Sequence, residues 1–274
     1  MLGKLLKHEF KATSRILPFS YLACAVFFLV AFIARSILPD VSAAYLVPAV
    51  IFLLSGIAVL ILTYVLLIMR FHKSMYGNEG YLTQTLPVSK GQLLASKMIP
   101  CAIWMIAGTL VFLFVILGFA YLVTGDGSVF FDLFKELYGT SPLYTSYLLI
   151  SLVIQSALFV TEVFFALSLA NTSKFLRNNI ALSIVFYILT TFVVSLLDVL
   201  AMLFVPLGIQ SAVDGSSSFV FENMFGTMMN EINSTATVAA PMTIGIGSLI
   251  LDVILIVVFV LLTNYLLKRK INVK

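Results

Sequence analysis

Apolar residues gather along this chain in six runs, over 16–38, 45–69, 99–123, 145–170, 179–206 and 242–267. Each exceeds the about 20 residues a helix needs to cross a bilayer, and none shows the period-two alternation of a membrane barrel strand. The pattern predicts an all-α integral membrane protein of six transmembrane helices, read as one transmembrane domain over 1–274. The first run is longer than a signal-peptide core and is read as a retained span. Ahead of it, Leu2, Leu5, Leu6 and Phe10 interleave with Lys4, Lys7, His8, Lys11 and Arg15, which predicts a basic amphipathic helix over 1–15 suited to an anionic leaflet.

The polar breaks differ in length and character. The break at 39–44 fits only a hairpin, and the one after Ala170, with Lys174 and Arg177, is a tight turn. Between spans three and four, SVFFDLFKELYG has the spacing of a short interfacial helix, and between spans five and six FVFENMFGTMM places aromatics and methionines where they can dip back into the membrane. The longest basic break is 70–98. There Pro87 imposes an extended or turn conformation on Leu86, and Ser89 with Gln92 has the spacing of a capping box, so a helix is expected to start at about Lys90.

Composition agrees: 61% of the residues are hydrophobic and 10% charged, and the mean hydropathy is +1.12, against about 45–50% apolar and about 25% charged in soluble domains. Of the 16 Lys and Arg residues, 14 fall on one side of the six-span arrangement, leaving Arg35 and Lys135 opposite. By the positive-inside rule both termini and the 70–98 loop are cytoplasmic, in a multi-pass plasma-membrane protein. The net charge of +4 is explained by these flanks, with no groove-reading motif to suggest nucleic acid. Cys24 and Cys101 fall in or beside spans, where no disulfide framework is implied.

The 70–98 loop also carries large apolar groups, among them Phe71, Met75, Tyr76, Tyr81 and Leu82, around the turn Gly77-Asn78-Glu79-Gly80. Exposed apolar groups of this size mark a partner surface. The stretch EGYLTQTLPVS, Glu79 to Ser89, followed by Leu93, Leu94 and Lys97 and an apolar helix, resembles the cytoplasmic coupling loop of bacterial ABC type-2 exporter permeases. The resemblance is close in this loop and loose over the rest of the chain. It implies that 1–15 is an elbow helix, that Tyr76, Glu79, Tyr81 and Leu82 dock on a separate cytoplasmic ABC ATPase, and that short re-entrant helices precede the last span. It further implies a second permease as partner, copy or paralogue, and ATP with Mg bound by the ATPase chain, no cofactor belonging to this one.

The candidate chemistry is sparse. The sequence has no Gly-x-x-x-x-Gly-Lys-Ser/Thr loop, so it does not itself cradle a nucleoside triphosphate in the usual way. His8 and His72 lie at the membrane surface, which leaves no metal site or Ser/His pair within the spans and argues for a transport subunit over an enzyme. Inside the spans stand Gln155 and Glu162, Asp198, and Asp252. Such acids cost about 2.5–3.5 kcal/mol each to insert and face a bundle interior or a wet cavity. At about 1.5 Å per residue, Gln155, Asp198 and Asp252 share a level roughly 12–14 Å from one end. On the fifth span, Ser183, Tyr187, Thr191, Ser195 and Asp198 form one polar stripe, read either as part of a translocation path or as helix-to-helix hydrogen bonding. The acidic external segments, with Asp198, favour an amphipathic or hydrophobic substrate of cationic character, such as a basic peptide. Two rival readings are a secondary transporter using the intramembrane acids, and a non-transporting immunity or scaffold protein.

Overall fold

The computed structural model describes residues 2–39, 41–77, 79–80, 85, 87–126, 128, 142–172, 179–211, 217–233 and 242–269. Its helices are α1 (Leu2–Thr13), α2 (Leu17–Ile37), α3 (Ser42–Met75), α4 (Lys90–Thr124), α5 (Pro142–Ala170), α6 (Asn179–Phe204), α7 (Met224–Asn233) and α8 (Gly247–Arg269). Three short strands, β1 (Gly208–Ser211), β2 (Ser217–Val220) and β3 (Met242–Gly245), accompany them. Among the described residues six helical stretches are long and apolar enough to cross a membrane and the strands form one small sheet, the architecture of an all-α multi-pass membrane protein. It divides into two compact units, one containing α1–α4 and the other α5–α8 with the strands.

In the first unit, α2 and α4 run in the same direction and α3 runs against both. Phe28 of α2 meets Phe52 of α3 at 5.2 Å and Phe114 of α4 at 5.4 Å between ring centroids, around a core of Cys24, Ala31, Ala49, Phe52, Val115 and Leu122. Lipid is as apolar as these side chains, so close packing and not exclusion from water holds the helices together. Small residues permit that approach: a Cβ on Gly56 would stand 2.5 Å from Cγ1 of Val115, and one on Gly118 would stand 3.1 Å from both Phe28 and Phe52. Helix α4 starts at the expected place, with Ser89 Oγ accepting from the Gln92 backbone N–H at 3.3 Å. It ends at Gly125 in the left-handed conformation, φ 76°, where glycine avoids the Cβ penalty. Arg35 closes the same end, donating from Nη1 to the Leu122 carbonyl at 3.1 Å and lying 4.1 Å over the Tyr45 ring.

In the second unit, α5 and α8 run in the same direction with α6 antiparallel between them in sequence, and Leu158, Val194 and Phe259 form the core. The sheet has the order β2-β1-β3, antiparallel throughout, with Ile209 opposite both Phe219 and Ile244. Two expectations change here. The sixth span was expected from 242, but 242–245 is strand and the helix starts at Gly247. The reason is local: a Cβ at Gly245 would land on the Met202 carbonyl and one at Gly247 on the Ala201 carbonyl, so this glycine-bearing stretch presses directly on the end of α6. The segment before that span holds the expected short helix, α7, together with β1 and β2, which the apolar pattern did not announce. The interfacial helix expected within 128–139 lies almost wholly outside the described residues.

Candidate functional site

The loop-bearing ends of α3 and α4 are longer than the apolar runs that predicted them. Helix α3 continues past 69 to Met75, and α4 begins at Lys90, nine residues before the run that starts at 99. At the end of α3, the Tyr76 and Gly77 backbone N–H groups both donate to the His72 carbonyl. Tyr76 itself folds back, its ring edge-on to Phe71 at 5.9 Å and 6.3 Å from His72. Glu79 pairs with Lys73 at 3.5 Å; both side chains are more than half exposed, so this pair adds little stability. Tyr81 and Leu82 lie outside the described residues.

Beneath the loop the first unit holds a buried charge cluster that the sequence did not disclose. Glu9 of α1 turns inward, accepting from Arg70 Nε of α3 at 2.9 Å and pairing through its other oxygen with Lys97 Nζ of α4. One turn further along α1, Thr13 Oγ1 accepts from Trp104 Nε1 of α4 at 2.8 Å and is placed to donate to the Glu9 carbonyl at 2.9 Å. Arg70 and Lys97 entered the sequence reading as loop cations, but here both are turned onto α1. The sequence held a hint of burial but not of the pairing. Glu9 is the only acid in 1–15, and Lys97 shares a helical face with Leu93, Leu94 and Pro100, all buried. With Glu9 inward, the exposed face of α1 carries Lys4, Lys7, His8 and Lys11 with no acid among them, as the amphipathic pattern requires.

The second unit gathers the intramembrane polar residues. Gln155 Nε2 donates to Asp252 Oδ2 at 2.7 Å, and the Asp252 carboxyl lies within hydrogen-bonding reach of Asp198. About two turns along α5, Thr191 Oγ1 donates to Glu162 Oε2 at 3.2 Å. Asp252 is fully buried and Glu162 only 4% exposed, whereas Asp198 is half-buried. Among the described residues no hydrogen-bond donor reaches Glu162 Oε1, Asp198 Oδ1 or Asp252 Oδ1.

The polar stripe on α6 therefore has a mixed fate. Ser183 is buried, Tyr187 packs edge-on to Phe159 at 5.9 Å, and Thr191 and Asp198 engage the acids of α5 and α8. Ser195 is exposed and donates back to the Thr191 carbonyl at 2.6 Å. The sharing of one level by Gln155, Asp198 and Asp252, inferred from residue counting, is realised in the structure. Asp198 faces another acid, Asp252, within its own unit. No family model, no curated protein and no solved structure matches the chain.

Proposed function

We propose that this chain is the membrane permease subunit of an ATP-driven bacterial exporter. In this reading it pairs with a second permease, a copy or a paralogue, and its 70–98 loop docks on a separate cytoplasmic ATPase that binds ATP and Mg. Both termini are cytoplasmic, and the substrate is an amphipathic or hydrophobic molecule, cationic by the acidity of the opposite face. The observation that carries the reading is the clamp at Glu9, Arg70 and Lys97, which ties the amphipathic helix to the stems on either side of the loop. Because α3 and α4 are continuous helices down to that clamp, a force on the loop moves α1, α3 and α4 together instead of being lost in slack chain.

The test is affinity purification of the full chain from its own host in mild detergent. A stoichiometric partner with a phosphate-binding loop is the expected result, and Tyr81→Ser with Leu82→Ser is expected to reduce its recovery while the permease remains in the membrane. Recovery of the permease alone, with transport indifferent to both substitutions, overturns the reading. One observation favours a second reading: the uncompensated acids of the second unit suit a transporter driven by a cation gradient. Transport that survives ATP depletion and stops when the proton gradient is collapsed selects that alternative.

A further inference from the structure

Helices α5, α6 and α8 bring three carboxyl groups into one interior, and what is absent around them is as informative as what is present. In sequence, α5 and α6 contain no Lys, Arg or His, and α8 carries Lys268 and Arg269 only in its last turn. Lys268 is 16 residues from Asp252, or about 24 Å along the helix. The other titratable groups of these helices are Glu162, which is also an acid, and Tyr144, Tyr147, Tyr187 and Tyr265. Strand β3 contributes Thr243 and no charge. The cluster is thus not one half of an ion-pair network that the same helices complete.

Its internal geometry shows what it can accept. The Gln155 amide occupies Oδ2 of Asp252. Among the described residues Oδ1 of Asp252, in a side chain with no exposure at all, has no donor, and neither does Oδ1 of Asp198, although the two carboxyl groups are within hydrogen-bonding reach of each other. Two carboxylates can only repel at that separation, whereas a carboxyl and a carboxylate joined by one proton form a strong hydrogen bond. Among the described residues no three His, Cys, Asp or Glu side chains converge to hold a metal ion.

We infer that Asp198 and Asp252 together form a binding site for one exchangeable proton that links α6 to α8. On binding, a proton from water forms an O–H bond to one carboxylate and a hydrogen bond to the other. On release that O–H bond breaks and the proton returns to water, leaving two carboxylates. Loss of the proton sets two negative groups against each other across the α6–α8 contact. Protonation thereby sets how closely these helices pack.

The test uses the full-length protein in nanodiscs, titrated with pH while the infrared C=O band of protonated carboxyl groups is recorded in water and in D2O. The expected result is a wild-type band that is lost as pH rises, shifts in D2O, and disappears from the spectra of Asp198→Asn and of Asp252→Asn while surviving in Glu162→Gln. If an Asn variant does not insert, Asp198→Glu replaces it, and a moved band supports the site while an unmoved band refutes it. A band that persists in both Asn variants, or is lost only in Glu162→Gln, places the proton elsewhere and overturns the proposal. So does a wild-type band abolished at constant pH by sodium or lithium chloride and unaffected by choline chloride, which would assign the site to a metal cation.

Discussion

Replacing Glu9 with Gln would remove the one anion that holds α1 to both α3 and α4. The Lys97 side chain is 8% exposed and that of Glu9 10%, whereas Arg70 is 30% exposed. Removing one member of a buried ion pair costs about 3–5 kcal/mol, because a charge is left without a partner. Lys97 lies only seven residues from the start of α4, about 10 Å from the loop end, so its long stem can carry the ammonium part of the way to water. The expected cost is therefore at the lower end, about 3 kcal/mol, or roughly a hundredfold in the ratio of docked to undocked α1 at about 1.4 kcal/mol per tenfold. Arg70→Gln removes a group already part-solvated and leaves Glu9 paired with Lys97, so it is expected to cost about 1 kcal/mol. The protein carries its own reporter, since Trp104 is its single tryptophan and donates to Thr13 on the turn after Glu9. Tryptophan emission followed through a denaturing-detergent titration should show a red-shifted starting spectrum and an earlier transition for Glu9→Gln. The double variant Glu9→Gln with Lys97→Met, which removes both buried charges, should recover most of the loss. An unchanged spectrum and midpoint in Glu9→Gln, or a double variant no more stable than the single one, would refute the assignment of this cluster as the clamp.

Two further outcomes follow from packing and charge. Gly56→Ala places a methyl group against Val115 in the α3–α4 contact and is expected to destabilise by about 1–3 kcal/mol, with Val115→Ala in the same chain restoring much of it; a neutral single variant in a thermal-unfolding assay contradicts the close approach. In a cysteine-free background, cysteines at Gly80 and Asn272 should resist an impermeant thiol reagent added outside intact cells, while those at the exposed positions Ser128 and Ser218 should react, and labelling at Asn272 from outside would invert the topology.

Hydrophobic run length alone determined that this chain spans a membrane as six helices, because an unpaired backbone is intolerable in lipid and a helix satisfies its own hydrogen bonds wherever it lies. The amphipathic helix and the start of α4 were equally legible, since periodicity and the Ser89 cap act within a few residues. Residue counting even placed Gln155, Asp198 and Asp252 at one level, because helical rise is constant. Rotation and partnership were not legible. Whether Glu9 faced water or Lys97, 88 residues away in sequence, depended on how three helices turn against one another. The aspartates' facing each other, and not a cation, depended on the same long-range packing of α6 against α8. The strands were hidden for a related reason: Met242–Gly245 is apolar enough to read as membrane helix, and only the contact of its glycine with the end of α6, together with pairing to Gly208–Ser211, makes the extended form the better one. Local propensity sets which elements form, but which faces meet is decided by contacts between residues far apart in the chain.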